Sequence, residues 1–164
     1  AWDAAGDPDD PAPSAAAGAA AAAAPAAGLA RHAKQRIERE AYRHRLDADF
    51  VMAVAFAESS FDPAADSGTA RGLMQMSEIA WRQVREDSWD RAWDWTENIA
   101  AATAYLAWCR DFLQRRGHFS YPNLAAAYRY GPVALQRVGF DRHKLPYPRN
   151  RIYQQLFAGT VPTV

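Results

Sequence analysis

Residues 50–60 of the chain read Phe-Val-Met-Ala-Val-Ala-Phe-Ala-Glu-Ser-Ser, an apolar run that ends in an acid. An apolar segment without a polar face is typical of a helix that is buried on all sides. We therefore predict a buried helix over residues 50–59 and expect Asp49 to cap its N-terminus. The acid, Glu58, falls in the last turn of this helix.

Glu58 is a candidate catalytic acid because of its position. Burial disfavours the charged form of a carboxyl group, and the negative end of the helix dipole acts in the same direction, so both raise its pKa. A carboxyl group that keeps its proton near neutral pH can donate it to a leaving oxygen, which is the task of the acid in glycoside cleavage. From local sequence alone, the alternative is a glutamate that reaches solvent or pairs with an arginine.

The rest of the pattern also predicts helices. Apolar residues at helical spacing place one helix over residues 29–45 and a core helix over residues 97–116, which Gly117 ends. Ser77 is expected to start a short helix and Asn123 to cap another. Because no segment alternates for long with period two, the predicted fold class is mostly α.

Loop-forming residues separate these helices. Residues 61–71 are rich in Asp, Pro, Gly and Ser and are predicted as a loop. A short helix is expected over residues 132–138, and Pro146 and Pro148 isolate a last helix with one apolar side. That side carries Ile152, Tyr153, Leu156 and Phe157.

The first 28 residues differ from the rest, since fifteen of them are Ala and four are Pro. They hold four Asp and no basic residue, and almost no bulky apolar side chain. Such a segment cannot offset the entropy of ordering it. We predict an acidic, disordered tail or linker over residues 1–28 and one domain over residues 29–164.

Charge and cysteine content exclude several classes of protein. The 164 residues carry no formal net charge, which argues against a nucleic-acid binder. A single Cys and four scattered His show no zinc-ligand spacing, and no charge-free apolar run predicts a membrane span. Residues 110–164 nevertheless hold nine basic and two acidic residues, which suits an anionic polymer or is a solvated Arg-rich face.

Five stretches, taken in order, closely resemble the signature of the soluble lytic transglycosylases, which share the α fold of goose-type lysozyme. They are Glu58-Ser59, Gly72-Leu73-Met74-Gln75, Asn98-Ile99 with Ala104-Tyr105-Leu106, Ala127-Tyr128 with Gly131, and Leu145-Pro146 with Arg151-Ile152-Tyr153. The resemblance covers roughly residues 30–158. It implies a single lysozyme-like domain that acts on peptidoglycan in the periplasm or outside the cell.

The resemblance also implies roles for single residues. Glu58 would be the catalytic acid, and the substrate-binding residues would be Ser67, Gln75, Tyr128 and Tyr153. The Gln75 amide can donate and accept hydrogen bonds, and the two phenols can bind the acid or a sugar, although core tyrosines bonded to backbone give the same pattern. The glycines after the acid would let backbone approach a bulky sugar.

The reaction that the resemblance implies needs one carboxylate and no metal or cofactor. Glu58 would protonate the glycosidic oxygen and then deprotonate the muramoyl 6-hydroxyl, which closes an anhydro ring. A hydrolase of the muramidase type would need a second carboxylate instead. The acids available for that role are Asp62, Asp66, Glu78 and Glu97. A third reading is a catalytically weak glycan-docking module with a partner in an envelope or secretion assembly.

Three positions depart from the pattern of the family. Arg129 stands where the resemblance leads us to expect Asn, and Arg149 where Glu is frequent. Ser77 and Glu78 follow Met76 in place of the usual Pro. Two of these changes add positive charge near the expected glycan groove.

Four tryptophans fall within fifteen residues: Trp81, Trp89, Trp93 and Trp95. Aromatic faces can stack on sugar rings, but large aromatics are more often buried for their apolar area. We expect core packing for most of this cluster, with one member lining a subsite.

Overall fold

The computed structural model describes residues 23–164 as a set of helices with one very small sheet. The helices are α1 (Ala23–His44), α2 (Ala48–Ser59), α3 (Glu78–Val84), α4 (Trp95–Arg115), α5 (Tyr121–Tyr130), α6 (Pro132–Arg137) and α7 (Arg151–Phe157). Two short 3-10 helices span Trp89–Trp93 and Arg142–Lys144. The predicted mostly α fold class is confirmed, and residues 1–22 of the predicted tail lie outside the described residues.

The core forms around α4, which packs against α1, α3 and α5. The apolar residues predicted for the core helix are buried along its length, and Gly117 follows its end at a φ of 75°. Helix α2 is apolar on all sides, as predicted, and packs against α1 and α7. Helix α7 also packs against α5, so it brings the end of the chain over the end of α2.

Two predicted helix caps were wrong. Asp47, and not Asp49, caps α2, and its carboxylate accepts a hydrogen bond from the Phe50 N–H at 3.0 Å. Asp49 lies in the first turn, where a negative charge also suits the helix dipole, so the local pattern fits either acid. Ser120, and not Asn123, caps α5.

Asn123 has a tertiary role instead of the predicted capping role. Its amide donates to the His118 carbonyl at 2.9 Å, and its side-chain oxygen accepts from Arg142 at 3.2 Å. The residue is buried, so both groups need a protein partner. Asn123 thereby joins the start of α5 to the segment that precedes α7.

The segment between α2 and α3 is the predicted loop, and it holds the sheet that the sequence did not predict. Strands β1 (Ala70–Arg71) and β2 (Met76–Ser77) pair antiparallel, with Ala70 opposite Ser77. Two residues per strand are too few to show an alternating pattern. Ser77 caps α3 through its side chain, as predicted.

No helix within residues 23–164 is both long enough and apolar enough to cross a membrane.

Candidate active site

The last turns of α2 and α5 and the first turn of α7 meet at Glu58. The Glu58 side chain is 5% exposed, although it stands one residue before the end of its helix. The Tyr153 hydroxyl on α7 donates a hydrogen bond to Glu58 Oε2 at 2.7 Å. Nη1 of Arg129, on α5, lies 3.8 Å from Glu58 Oε1. Each oxygen of the acid therefore faces a different helix.

The environment of Glu58 favours its protonated form. Burial raises its pKa from 4.5 to about 7, while the Arg129 charge and the Tyr153 hydrogen bond act to lower it. Desolvation outweighs the two favourable contacts because the carboxyl group is removed from water almost completely. A carboxyl group with a pKa in this range can donate or accept a proton near neutral pH.

Arg129 is held between Glu58 and two phenols. Its guanidinium carbon lies 5.3 Å from the centre of the Tyr153 ring, and Tyr130 follows it directly in the chain. Burial acts to lower the pKa of Arg129, while Glu58 and the phenols act to raise it, and the net result is an increase. The side chain is 15% exposed, so a fixed positive charge stands beside the acid.

Tyr153 is fixed in turn by the cap of α7. Asn150 caps this helix through bonds from the backbone N–H groups of Ile152 and Tyr153. The Asn150 amide also donates to the Ala57 carbonyl at 3.2 Å. One residue therefore sets the start of α7 and ties it to the last turn of α2, which aligns the Tyr153 phenol with the Glu58 carboxyl.

The other three predicted site residues belong to the loop between α2 and α3 or hold it in place. Tyr128 is fully buried, and its hydroxyl donates to the Met74 carbonyl at 2.6 Å. Gln75 is 4% exposed and donates from Nε2 to the carbonyls of Ala65 and Gly72 at 2.9 and 3.0 Å. Both N–H bonds of this amide are thus taken by backbone carbonyls, so the buried side chain ties the two ends of the loop segment 65–75 together.

Ser67 lies apart from this cluster, on the exposed turn before β1. Its hydroxyl donates to the Ala70 carbonyl at 3.3 Å and accepts from the Ala70 N–H at 3.2 Å. The structure therefore brings Tyr153 directly to Glu58. Tyr128 supports the loop from α5, Gln75 is buried within the loop, and Ser67 lies on the loop surface.

Comparison with known proteins shows the family of the chain. A family model described as the transglycosylase SLT domain matches residues 35–146, which is more than half of the chain. The chain belongs to the transglycosylase SLT domain family. A protein of Desulfosudis oleivorans named membrane-bound lytic murein transglycosylase F is 41% identical over 134 residues, covering 71% of this chain. The chain spans 29% of the length of that relative.

Asn98 holds the loop between α2 and α3 in place, and sequence reasoning assigned it no role. It is fully buried on α4, and its side-chain oxygen accepts from the Met74 N–H at 2.8 Å. Its amide donates to the carbonyls of Arg71 and Ala92 at 3.0 and 2.9 Å. The sequence does contain an indication of this role, because Asn98 is a polar residue beside Ile99 in a core helix. A buried amide at such a position needs hydrogen-bond partners.

The same contact explains Gly72. A Cβ built at this position would lie 2.3 Å from Asn98 Nδ2 and 2.5 Å from the Ala92 carbonyl oxygen, and its φ is 83°. The close approach at Gly72 is therefore to the protein's own side chain and backbone, whereas the sequence analysis attributed it to a sugar. Gly68, with nothing within 4 Å, leaves open space on the surface of the loop.

The other acids near the SLT domain site are held in local contacts. Glu97 pairs with Arg85 at 2.8 Å and with Arg91 at 3.1 Å, and Glu78 pairs with Arg82 at 2.6 Å. The Asp62 and Asp66 carboxylates accept bonds from the N–H groups of Ala64 and Gly68, two residues further along the chain. Within residues 23–164, no three His, Cys, Asp or Glu side chains form a group that could hold a metal ion.

The four tryptophans differ in burial. Trp81 is fully buried and donates to the Asp87 carbonyl, and Trp89 is half-buried and donates to the Met76 carbonyl. Trp93 is 40% exposed and is the most exposed of the four. The guanidinium of Arg71 lies 3.4 Å from the Trp89 ring centre and 5.1 Å from that of Trp93.

Proposed function

We propose that this chain is the catalytic domain of a peptidoglycan lytic transglycosylase of the bacterial cell envelope. It would cleave the β-1,4 bond between N-acetylmuramic acid and N-acetylglucosamine and release 1,6-anhydromuropeptides. The observation that carries the proposal is a buried acid, Glu58, whose pKa is raised to about 7 within an SLT domain. The name of the relative from Desulfosudis oleivorans, a lytic murein transglycosylase, supports the same class of substrate.

The proposed reaction moves one proton in each direction through Glu58. In the first step the protonated carboxyl gives its proton to the glycosidic oxygen, and the bond from that oxygen to the muramoyl C1 breaks. The substrate's own N-acetyl group stabilises the cationic centre. In the second step the Glu58 carboxylate takes the proton of the muramoyl 6-hydroxyl as its oxygen bonds to C1. No water is consumed, and an intramolecular hydroxyl gains from its proximity over bulk water.

The contacts of the remaining residues support a mechanism with a single carboxylate. Glu78 and Glu97 are engaged in ion pairs, and Asp62 and Asp66 in turns of their own loop. Glu58 is the one acid among these that is buried. A pure docking module would gain nothing from this costly burial of an ionisable group.

The substrate-binding residues are assigned roles within this proposal. Tyr153 orients the acid and holds one of its oxygens. Tyr128 and Gln75 would support substrate binding by fixing the loop that lines the groove. Ser67 stands on the exposed turn of that loop, where a glycan strand would pass over it.

The test is mass spectrometry of soluble products after incubation with purified peptidoglycan. The wild-type chain should release anhydromuropeptides, and Glu58→Gln should lower the rate of release about 10²–10⁴-fold, which is what general acid–base catalysis contributes. Glu78→Gln, which removes a half-exposed carboxylate in a surface ion pair, is the matched control and should stay active.

Other products would change the assignment. Muropeptides with reducing ends, one water heavier, would mean a muramidase, and loss of activity in Glu78→Gln would then identify its second carboxylate. Sedimentation with the wall without any product would contradict the enzyme and leave the docking module.

A further inference from the structure

We propose that Arg129 is a positioning residue that acts through Glu58: its guanidinium stabilises the carboxylate that remains once the proton has moved to the leaving oxygen, and so sets the pH range of the reaction. This inference rests on the proposed function of Glu58. It concerns the position where the resemblance leads us to expect a neutral Asn.

The two oxygens of Glu58 have different partners. Oε2 accepts the Tyr153 hydrogen bond at 2.7 Å, so the proton of the neutral acid belongs on Oε1. Arg129 Nη1 stands 3.8 Å from Oε1, which is within ion-pair distance but too long for a hydrogen bond. When Oε1 loses its proton to the substrate, it becomes a negatively charged oxygen that faces the Arg129 cation. The electrostatic attraction between the two groups is strongest in this state.

Arg129 is held in place for this task. It stands in the last turn of α5, whose negative end favours a cation. The Tyr153 ring lies beside its guanidinium, with 5.3 Å between the ring centre and the guanidinium carbon. Among the described residues, the carboxylate within ion-pair distance of Arg129 is that of Glu58, so no other acid competes for its charge.

The other groups that face Glu58 are neutral at the working pH. Tyr153 contacts it from α7, and Tyr128 on α5 interacts with it more weakly; burial raises the pKa of both phenols well above the usual value. Helix α1 also packs against α2, but none of its described titratable side chains contributes to the pKa of Glu58. Arg129 is therefore the charged side chain that influences the protonation of Glu58.

The experiment compares the pH dependence of anhydromuropeptide release in the wild type and in Arg129→Gln. Loss of an opposite charge at this distance raises a carboxyl pKa by about 1–3 units, so the limb of the profile that reports Glu58 should move to higher pH by that amount. This direction holds whether the acid step or the base step limits the rate. Arg129→Lys, which keeps the charge, should restore most of the wild-type profile.

A matched control and a direct titration complete the test. Arg115→Gln removes the same charge from an exposed residue at the far end of α4 and should leave the profile unchanged. Carbon-13 NMR of the Glu58 carboxyl, assigned with Glu58→Gln, should show the same upward shift in Arg129→Gln without any substrate.

The outcomes separate the two proposals. Products from the wild type with identical profiles and carboxyl titrations in Arg129→Gln would overturn the role of Arg129 and leave the enzyme assignment intact. Absence of anhydromuropeptides from the wild type would overturn the proposed function, while the carboxyl titration would still decide whether Arg129 acts on Glu58.

Discussion

At the scale of the residue, the burial that raises the pKa of Glu58 also lowers the stability of the fold at neutral pH. Its carboxyl is 5% exposed, and the Tyr153 and Arg129 contacts do not restore its ordinary pKa. Between pH 4.5 and about 7 the folded chain keeps a proton that the unfolded chain has released. The free energy of unfolding must therefore fall as pH rises through this window and level off above it.

Replacement of Glu58 by Gln should remove this dependence. A pKa raised from 4.5 to about 7 corresponds to about 3 kcal/mol, since each unit is worth 1.36 kcal/mol. Glu58→Gln should therefore gain up to about 3 kcal/mol relative to the wild type between pH 4.5 and 7.5, while losing turnover. Urea unfolding of both proteins at several pH values measures the difference. If the free energies of unfolding of the two proteins changed with pH in parallel, the buried carboxyl would carry no such cost.

At the scale of the element, the loop between α2 and α3 owes its shape to buried amides and hydroxyls. Asn98 holds backbone groups on both sides of it, Gln75 closes it from within, and Tyr128 holds Met74. The Ser59 hydroxyl donates to the Leu73 carbonyl and so joins the loop to the residue that follows Glu58. The net contribution of each hydrogen bond to stability is modest, but a buried polar group left without a partner costs about 1–3 kcal/mol.

The two glycines of this loop provide a test of that packing. Gly68 and Gly72 have similar φ values of 87° and 83°, but the space beside Gly68 is open and that beside Gly72 holds Asn98 and Ala92. Gly68→Ala should cost about 1–2 kcal/mol from backbone strain alone. Gly72→Ala should cost about 2–4 kcal/mol more, because Asn98 must shift away from its partners. Urea unfolding of the pair measures this, and equal losses would refute the packing argument.

The same loop shows what the sequence could predict. The long helices follow from apolar spacing, because burial of one face enforces a period of 3.6, whereas the short helices follow from cap residues and from Pro and Gly boundaries. The acid on α2 follows from its place in an apolar run. The caps of α2 and α5 did not follow, since Asp47 and Asp49, or Ser120 and Asn123, fit the local rules equally well. Bonds such as those of Asn98 depend on which helix lies opposite, and local sequence does not contain that information.

At the scale of the whole molecule, the site joins residues that are far apart in the chain. Tyr153 stands 95 positions after the glutamate that it contacts. The match to the SLT domain ends at residue 146, before α7 begins at Arg151. The helix that supplies this phenol therefore lies outside the matched region, although it packs against both α2 and α5. The folded unit that carries the site has to include it.

Removal of α7 should therefore unfold the domain as well as expose the acid. Its side chains Tyr153, Leu156 and Phe157 are 0%, 2% and 4% exposed. Burial of large apolar side chains is worth about 1.5–3 kcal/mol each, so the three together approach the net stability of an ordinary domain, about 5–15 kcal/mol. A chain that stops at residue 146 should lack a cooperative thermal transition by circular dichroism and lack dispersed amide signals by NMR.

A second truncation distinguishes the loss of α7 from the loss of the chain end. A chain that stops at Gly159 keeps α7 and loses the bond from Lys34 Nζ to the Val164 carbonyl, which should cost about 1 kcal/mol. It should melt cooperatively a few degrees below the full chain and keep the raised pKa of Glu58, because Tyr153 and Arg129 remain. If the chain ending at residue 146 melted like the full chain, α7 would be an appendage, and Tyr153 could not be required to orient the acid.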